Sequence, residues 1–125
     1  MRLLLDTNIL IRMLEEPHRL SARVRDLVDD LDNDLVVTTV SLVEIAIKVG
    51  TGKLVMPSEL LARLDALGCE LLPVHARHAM QMARLPGVHK DPFDRLIVAQ
   101  AMADDLMLIT TDRHLAHYGV AMIQA

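Results

Sequence analysis

This 125-residue chain predicts an α/β fold, a mostly parallel five-stranded sheet between layers of helices. Three observations predict it. Five short apolar runs, each bounded by polar residues, Gly or Pro, have strand length. Between them lie stretches whose apolar residues recur at three- and four-residue spacing, the mark of helices with one buried stripe. Strands alternating with helices give a parallel sheet covered on both faces, a three-layer sandwich.

The first strand, over residues 3–5, is three leucines that end in Asp6, a favoured N-cap for a short helix beginning near Thr7. Helical spacing over 20–31 precedes a strand over 35–37. Residues 41–49, SLVEIAIKV, are apolar except at Ser41, Glu44 and Lys48, which offsets of three and four place on one stripe. A helix so apolar elsewhere is expected to be mostly buried, its polar stripe facing a partner or a cavity. Gly50 and Gly52 end it, Pro57 and Ser58 open a helix over 57–67, and Gly68 closes that one. A strand over 70–74 and a helix over 75–85 follow, the latter stopped by Pro86-Gly87. Asp91 reads as the N-cap of a helix over 92–103, with Pro92 its first residue and Asp94 its third. Strands over 106–109 and 120–123 complete the sheet, and Asp112 caps a short helix over 113–117 between them. No linker or repeat interrupts this order, so one domain over 1–125 is expected.

Composition narrows the function. Hydrophobic residues make up 52% of the chain, but no uninterrupted run nears the roughly 18 residues of a membrane span and no cationic leader precedes the first leucines. A soluble, unprocessed, cytoplasmic protein is expected, with no membrane partner. The single cysteine, Cys69, excludes an internal disulfide and cannot build a zinc site alone. Aromatics are scarce and methionines number eight, which leaves apolar surface for a second copy of the chain. A net charge of −4 excludes nucleic-acid binding by simple charge neutralisation.

The chemistry sits in four acids, each with an ordinary structural role. Asp6 and Asp112 can cap helices, Glu44 can pair with Lys48 for ~0.5 kcal/mol, and Asp94 in a first helical turn favours the helix dipole by roughly 0.3–1 kcal/mol. In open α/β sheets, however, ligands sit beyond the carboxyl ends of the strands, where Asp6 and Asp112 stand. Two carboxylates about 4 Å apart repel by ~4 kcal/mol at an effective dielectric near 20, a large part of the ~5–15 kcal/mol that stabilises a domain. Acids gathered there must take up protons or cations, and hard oxygen donors select Mg²⁺ or Mn²⁺.

Other signals fall away. Gly50-Thr51-Gly52-Lys53-Leu54 follows a helix, lacks the upstream Gly of a phosphate loop and has Leu where Ser or Thr should stand. His75/His78 and His114/His117 have no third ligand. No G-x-S-x-G surrounds the three serines. Asn8 occupies the place of the second acid that a phosphoacceptor of the haloacid dehalogenase type needs, and the acidic pair of a receiver domain is missing.

Four segments, LLLDTN, VSLVEIAIK, HKDPFDRLIVAQA and LITTDRHL, together resemble those of PIN-domain ribonucleases, and more narrowly the VapC-type toxins of type II toxin–antitoxin pairs. The resemblance covers essentially the whole chain and implies the PIN-like fold. It also implies that Asp6, Glu44, Asp94 and Asp112 form an acidic quartet holding one or two divalent metals, Mg²⁺ with Mn²⁺ as a substitute. Asn8, Ser41 and Thr110 would support the quartet by hydrogen bonding. An endoribonuclease hydrolysing RNA phosphodiester bonds is expected, working as a toxin, forming homodimers and inhibited by an antitoxin protein. Arg95 and Arg113, each next to a proposed ligand, are candidates for phosphate contact. Val43 departs from the pattern, since close relatives often carry an aromatic before the Glu, and Asp91 matches an extra acid frequent in the subgroup. The alternative is a catalytically inactive PIN-like binding or regulatory module whose acids only cap helices.

Overall fold

A computed structural model describes residues 1–87 and 91–125; His89 and Lys90 of the HKDPFDRL segment lie outside the described residues. Five parallel strands, β1 (Arg2–Leu5), β2 (Asp34–Thr38), β3 (Glu70–Leu72), β4 (Met107–Thr110) and β5 (Met122–Gln124), form one sheet in the order β3-β2-β1-β4-β5. Leu4 of the central strand pairs with Val36 on one side and Leu108 on the other. The chain steps outward from β1 through β2 to β3, then returns to the far side of β1 for β4 and β5. This reversal opens a crevice between the carboxyl ends of β1 and β4.

Side chains alternate across the sheet and so feed two cores. Leu4, Val36 and Leu108 pack toward α5 (Ala76–Ala83), α6 (Pro92–Ala103) and the 3₁₀ turn Arg113–Tyr118. Leu3, Leu5, Leu35, Val37 and Ile109 pack toward α1 (Thr7–Glu15), α2 (Ala22–Asp29), α3 (Thr39–Gly50) and α4 (Leu60–Ala66). Leu3, Leu4 and Leu5 are fully buried, which is why the first strand reads as an unbroken apolar run. Each such leucine contributes about 1.5–3 kcal/mol of burial.

Several expectations shift. The helix expected over 20–31 covers only Ala22–Asp29, started by Ser21, whose Oγ accepts from Val24 N at 3.2 Å. Pro57 and Ser58 lie in a turn, and α4 begins at Leu60 after Glu59, which adopts a left-handed φ of 50°. β3 stops before Pro73, which has no N–H to give a ladder. The largest correction concerns α3, expected to be mostly buried. It rests on α1, α6 and β2, and Val43 and Ile47 on its outer face remain half exposed. Periodicity shows how apolar a helix is, but not how many of its sides find neighbours. Among the described residues no helix is long and apolar enough to cross a membrane.

Candidate active site

Asp6 follows the last residue of β1 and caps α1, its Oδ1 accepting from Thr7 N at 2.7 Å. Its own N–H donates to Ile109 O at 2.9 Å, which ties this corner to β4. Its other oxygen, Oδ2, accepts from Thr110 Oγ1 at 2.6 Å, and Thr110 Oγ1 in turn accepts from Asp112 N at 3.0 Å. One buried hydroxyl at the end of β4 therefore ties the Asp6 carboxylate to the main chain at Asp112. Asp112 also caps the 3₁₀ turn that follows it, Oδ1 accepting from His114 N at 2.9 Å.

Glu44 reaches the same corner from α3. Thr7 Oγ1 lies 2.9 Å from both Glu44 Oε1 and Ser41 Oγ. Its single proton serves one of these partners at a time while the Ser41 hydroxyl supplies the other. Glu44 Oε2 stands 3.2 Å from Lys48 Nζ, so the surface pair also exists and uses the oxygen that Thr7 leaves. Burial, chiefly, raises the Asp6 carboxyl above its ordinary range; the bonds from Thr110 and Thr7 oppose this, and the charges of Glu44 and Asp112 add to it. Three of the four predicted acids thus share one electrostatic neighbourhood.

The placement of Asp94 follows from topology. Residues 104–106 alone join α6 to β4, so the helix runs back against the strand. Its 12 residues span about 18 Å, somewhat more than the roughly 13 Å of β4, so its first turn stands at the carboxyl end of the sheet. Asp94 lies on the helical stripe of Ile97, Val98 and Ala101, all buried, and is itself partly buried in the first turn of α6. Asp91 caps that helix, Oδ1 accepting from Phe93 N at 2.8 Å and Asp94 N at 3.3 Å.

Among the described residues no three His, Cys, Asp or Glu side chains stand close enough to hold a metal ion. The acids are therefore neighbours at Coulombic range rather than a closed ligand shell. In kind, the donor set of carboxylates and hydroxyls fits a hard divalent ion such as Mg²⁺ or Mn²⁺, and the Asp6 carboxyl, raised chiefly by burial, also feels the charges of Glu44 and Asp112.

The remaining candidates divide. Ser41 and Thr110 are fully buried and bonded within the site. Asn8 is exposed on α1, and Thr7, which sequence reasoning passed over, makes the bonds expected of it. The only sequence signal for Thr7 was a hydroxyl directly after a capping acid. Arg113 is exposed beside Asp112. Arg95 turns to the fold: it donates to Pro86 O at 2.8 Å and Met82 O at 3.4 Å and lies 5.9 Å over the Tyr118 ring. Arg95→Ala should therefore lower stability by about 1–2 kcal/mol in urea unfolding and leave divalent-ion affinity unchanged.

The PIN-domain family model matches residues 3–121. Similar solved structures include VapBC2 from Rickettsia felis bound to a promoter DNA fragment (19% identity, TM-score 0.73, covering 99% of this chain and 98% of that one). DNA-bound VapBC from Salmonella typhimurium is similar at 18% identity and TM-score 0.74, with the same coverage. VapBC-5 from Mycobacterium tuberculosis, a member of the VapBC family of toxin–antitoxin systems, is similar at 24% identity and TM-score 0.62, covering 99% and 98%. At these identities the likeness is one of fold. No curated protein matches the chain in sequence.

Proposed function

The chain belongs to the PIN-domain family, and from that premise we propose that it is a divalent-metal-dependent endoribonuclease acting as the toxin of a toxin–antitoxin pair. The observation that carries the nuclease reading is the convergence of Asp6, Glu44 and Asp112 at the switch point of the sheet, with Asp6 raised by burial and its acidic neighbours. Asp6, Glu44, Asp94 and Asp112 would hold one or two Mg²⁺ or Mn²⁺ ions. When bound, such an ion supplies Lewis acidity toward water and the phosphate oxygens. The chain's own residues supply placement. Thr110 and Thr7 N–H fix both oxygens of Asp6, and Thr7 and Lys48 hold those of Glu44. Without a cation the crevice is acidic and repels the RNA backbone, so substrate approach and metal loading are coupled.

The toxin role draws support from the fold, which is that of chains in VapBC toxin–antitoxin complexes. A cognate antitoxin protein and a homodimer are the partners this reading brings. The half-exposed Val43 and Ile47 on α3 supply apolar surface for an interface.

Purified protein with Mn²⁺ should generate RNA fragments whose 5′ ends, on sequencing, cluster at defined positions, and Asp94→Ala should generate none. An active Asp94→Ala protein refutes the assignment. The second reading, an inactive binding module, has the caps in its favour, since Asp6, Asp91 and Asp112 each satisfy backbone N–H groups. Melting separates the two: Mn²⁺ at about 100 times its Kd should stabilise the nuclease by about 2.7 kcal/mol, and leave a module that only caps helices unmoved.

A further inference from the structure

We propose that Thr7 is the positioning residue that holds Glu44 at its working separation from Asp6, bridging the two acids through its own N–H and hydroxyl. The proposal rests on the metal-dependent reading above and deepens it. Thr7 is the first residue of α1 and nearly fully buried. Its backbone N–H donates to Asp6 Oδ1 at 2.7 Å, while its Oγ1 sits 2.9 Å from Glu44 Oε1 and 2.9 Å from the fully buried Ser41 Oγ. A single residue therefore touches one carboxylate just beyond β1 and another on α3, more than thirty positions apart in the chain.

Glu44 needs such a restraint. Its side chain has three rotatable bonds and stands partly open, and its other tie, to Lys48, is a partly exposed i,i+4 pair that salt screens and that holds weakly. The Thr7 hydroxyl is buried, neutral and set on a rigid helix start, so it fixes the direction from which Glu44 Oε1 faces Asp6. On its other side Asp6 accepts from the Thr110 hydroxyl, which in turn accepts from the main-chain N–H of Asp112. Two threonines thus flank the central acid, but only Thr7 reaches a second carboxylate side chain. Partners of this kind orient ligands and typically change metal affinity by about 10- to 100-fold when removed.

The test is calorimetric titration of MnCl₂ into the full chain as wild type, Thr7→Ser and Thr7→Val, with melting of each in EDTA. Thr7→Ser, which keeps the hydroxyl, should bind Mn²⁺ within about twofold of wild type, and Thr7→Val, near in shape without it, on the order of tenfold more weakly. If Thr7→Val melts lower but binds Mn²⁺ as tightly as wild type, the hydroxyl merely satisfies a buried group and the proposal is overturned. Equal losses in Thr7→Ser and Thr7→Val overturn it as well. Wild-type protein that binds no Mn²⁺ removes the metal-dependent reading itself, and with it this proposal. Should Thr7→Val fail to fold, Thr7→Ala removes the same hydroxyl with less bulk and carries the comparison.

Discussion

Under the proposed function Asp6→Asn should abolish RNA cleavage and yet, freed of divalent ions at about pH 8, should melt above the wild type. The first half follows from removing the acid at the centre of the site. Losing several kcal/mol of transition-state charge stabilisation slows a reaction by roughly a hundredfold or more. The second half follows from linkage. Burial raises the Asp6 carboxyl, so the native protein binds this proton more tightly than the unfolded chain does, and stability falls as pH rises through the raised value. Stability linked to this group is fully present below the ordinary carboxylate range and lost above the folded value. Asparagine removes the charge and its Oδ1 still accepts from Thr7 N, while its Nδ2 can no longer accept from Thr110 Oγ1 and must donate to it instead, so the variant gains where the wild type is ionised only by what burial of the charge costs beyond that rearranged bond. The gain should shrink toward zero by about pH 3, where wild-type Asp6 is protonated too. Paired melts in EDTA across that range check the sign. A variant less stable than wild type at about pH 8 would mean that the bonds from Thr7 and Thr110 outweigh burial.

Asp104→Ala is expected to cost about 3 kcal/mol, chiefly by leaving a buried donor without its partner. Asp104 ends α6 and holds two residues of α5. Its Oδ1 accepts from Arg77 Nε at 2.8 Å, and its Oδ2 accepts from Arg77 at 3.0 Å and lies 3.1 Å from His78 Nε2. His78 is fully buried, and its Nδ1 already accepts from His75 N at 3.0 Å, so its ring proton lies on Nε2 and points at Asp104. Alanine strands that proton in the interior, and a buried donor without a partner is costly. The Arg77 bonds, first, hold the Asp104 carboxyl down to about 2, with His78 contributing. A depressed acid stabilises above its unfolded value near 3.8 and loses that contribution as pH falls through about 2. The difference between wild type and Asp104→Ala in urea unfolding should therefore be constant from neutral pH to about pH 5 and narrow below it. A difference independent of pH would show that Asp104 contributes only packing.

The acids and their caps were legible because both act locally. Asp6, Asp91 and Asp112 cap the elements that follow them, as their sequence neighbourhoods imply, and these caps are compatible with placement at one end of the sheet rather than alternatives to it. Glu44 shows the same duality, with one oxygen on Lys48 and the other on Thr7. Thr7, Asn8 and Arg95 were not legible. Adjacent residues on a helix point in different directions, so whether the Thr or the Asn of LLLDTN reaches α3 depends on how α1 docks. Arg95 follows a proposed ligand, but one step along a helix rotates a side chain by about 100°, here toward the carbonyls of Met82, in the last turn of α5, and of Pro86 beyond it.

By itself the sequence determined that there would be five strands, in a mostly parallel sheet covered on both faces, and that carboxylates would stand where strands give way to helices. These properties follow from patterns and capping bonds that reach no farther than about one helical turn. Only the tertiary structure decided that the strands run β3-β2-β1-β4-β5, bringing Asp6 to Thr110 across 104 positions of chain, and that α3 leaves Val43 and Ile47 open. Strand order and helix docking are settled by which faces bury one another, a non-local competition whose outcome no short window of residues contains.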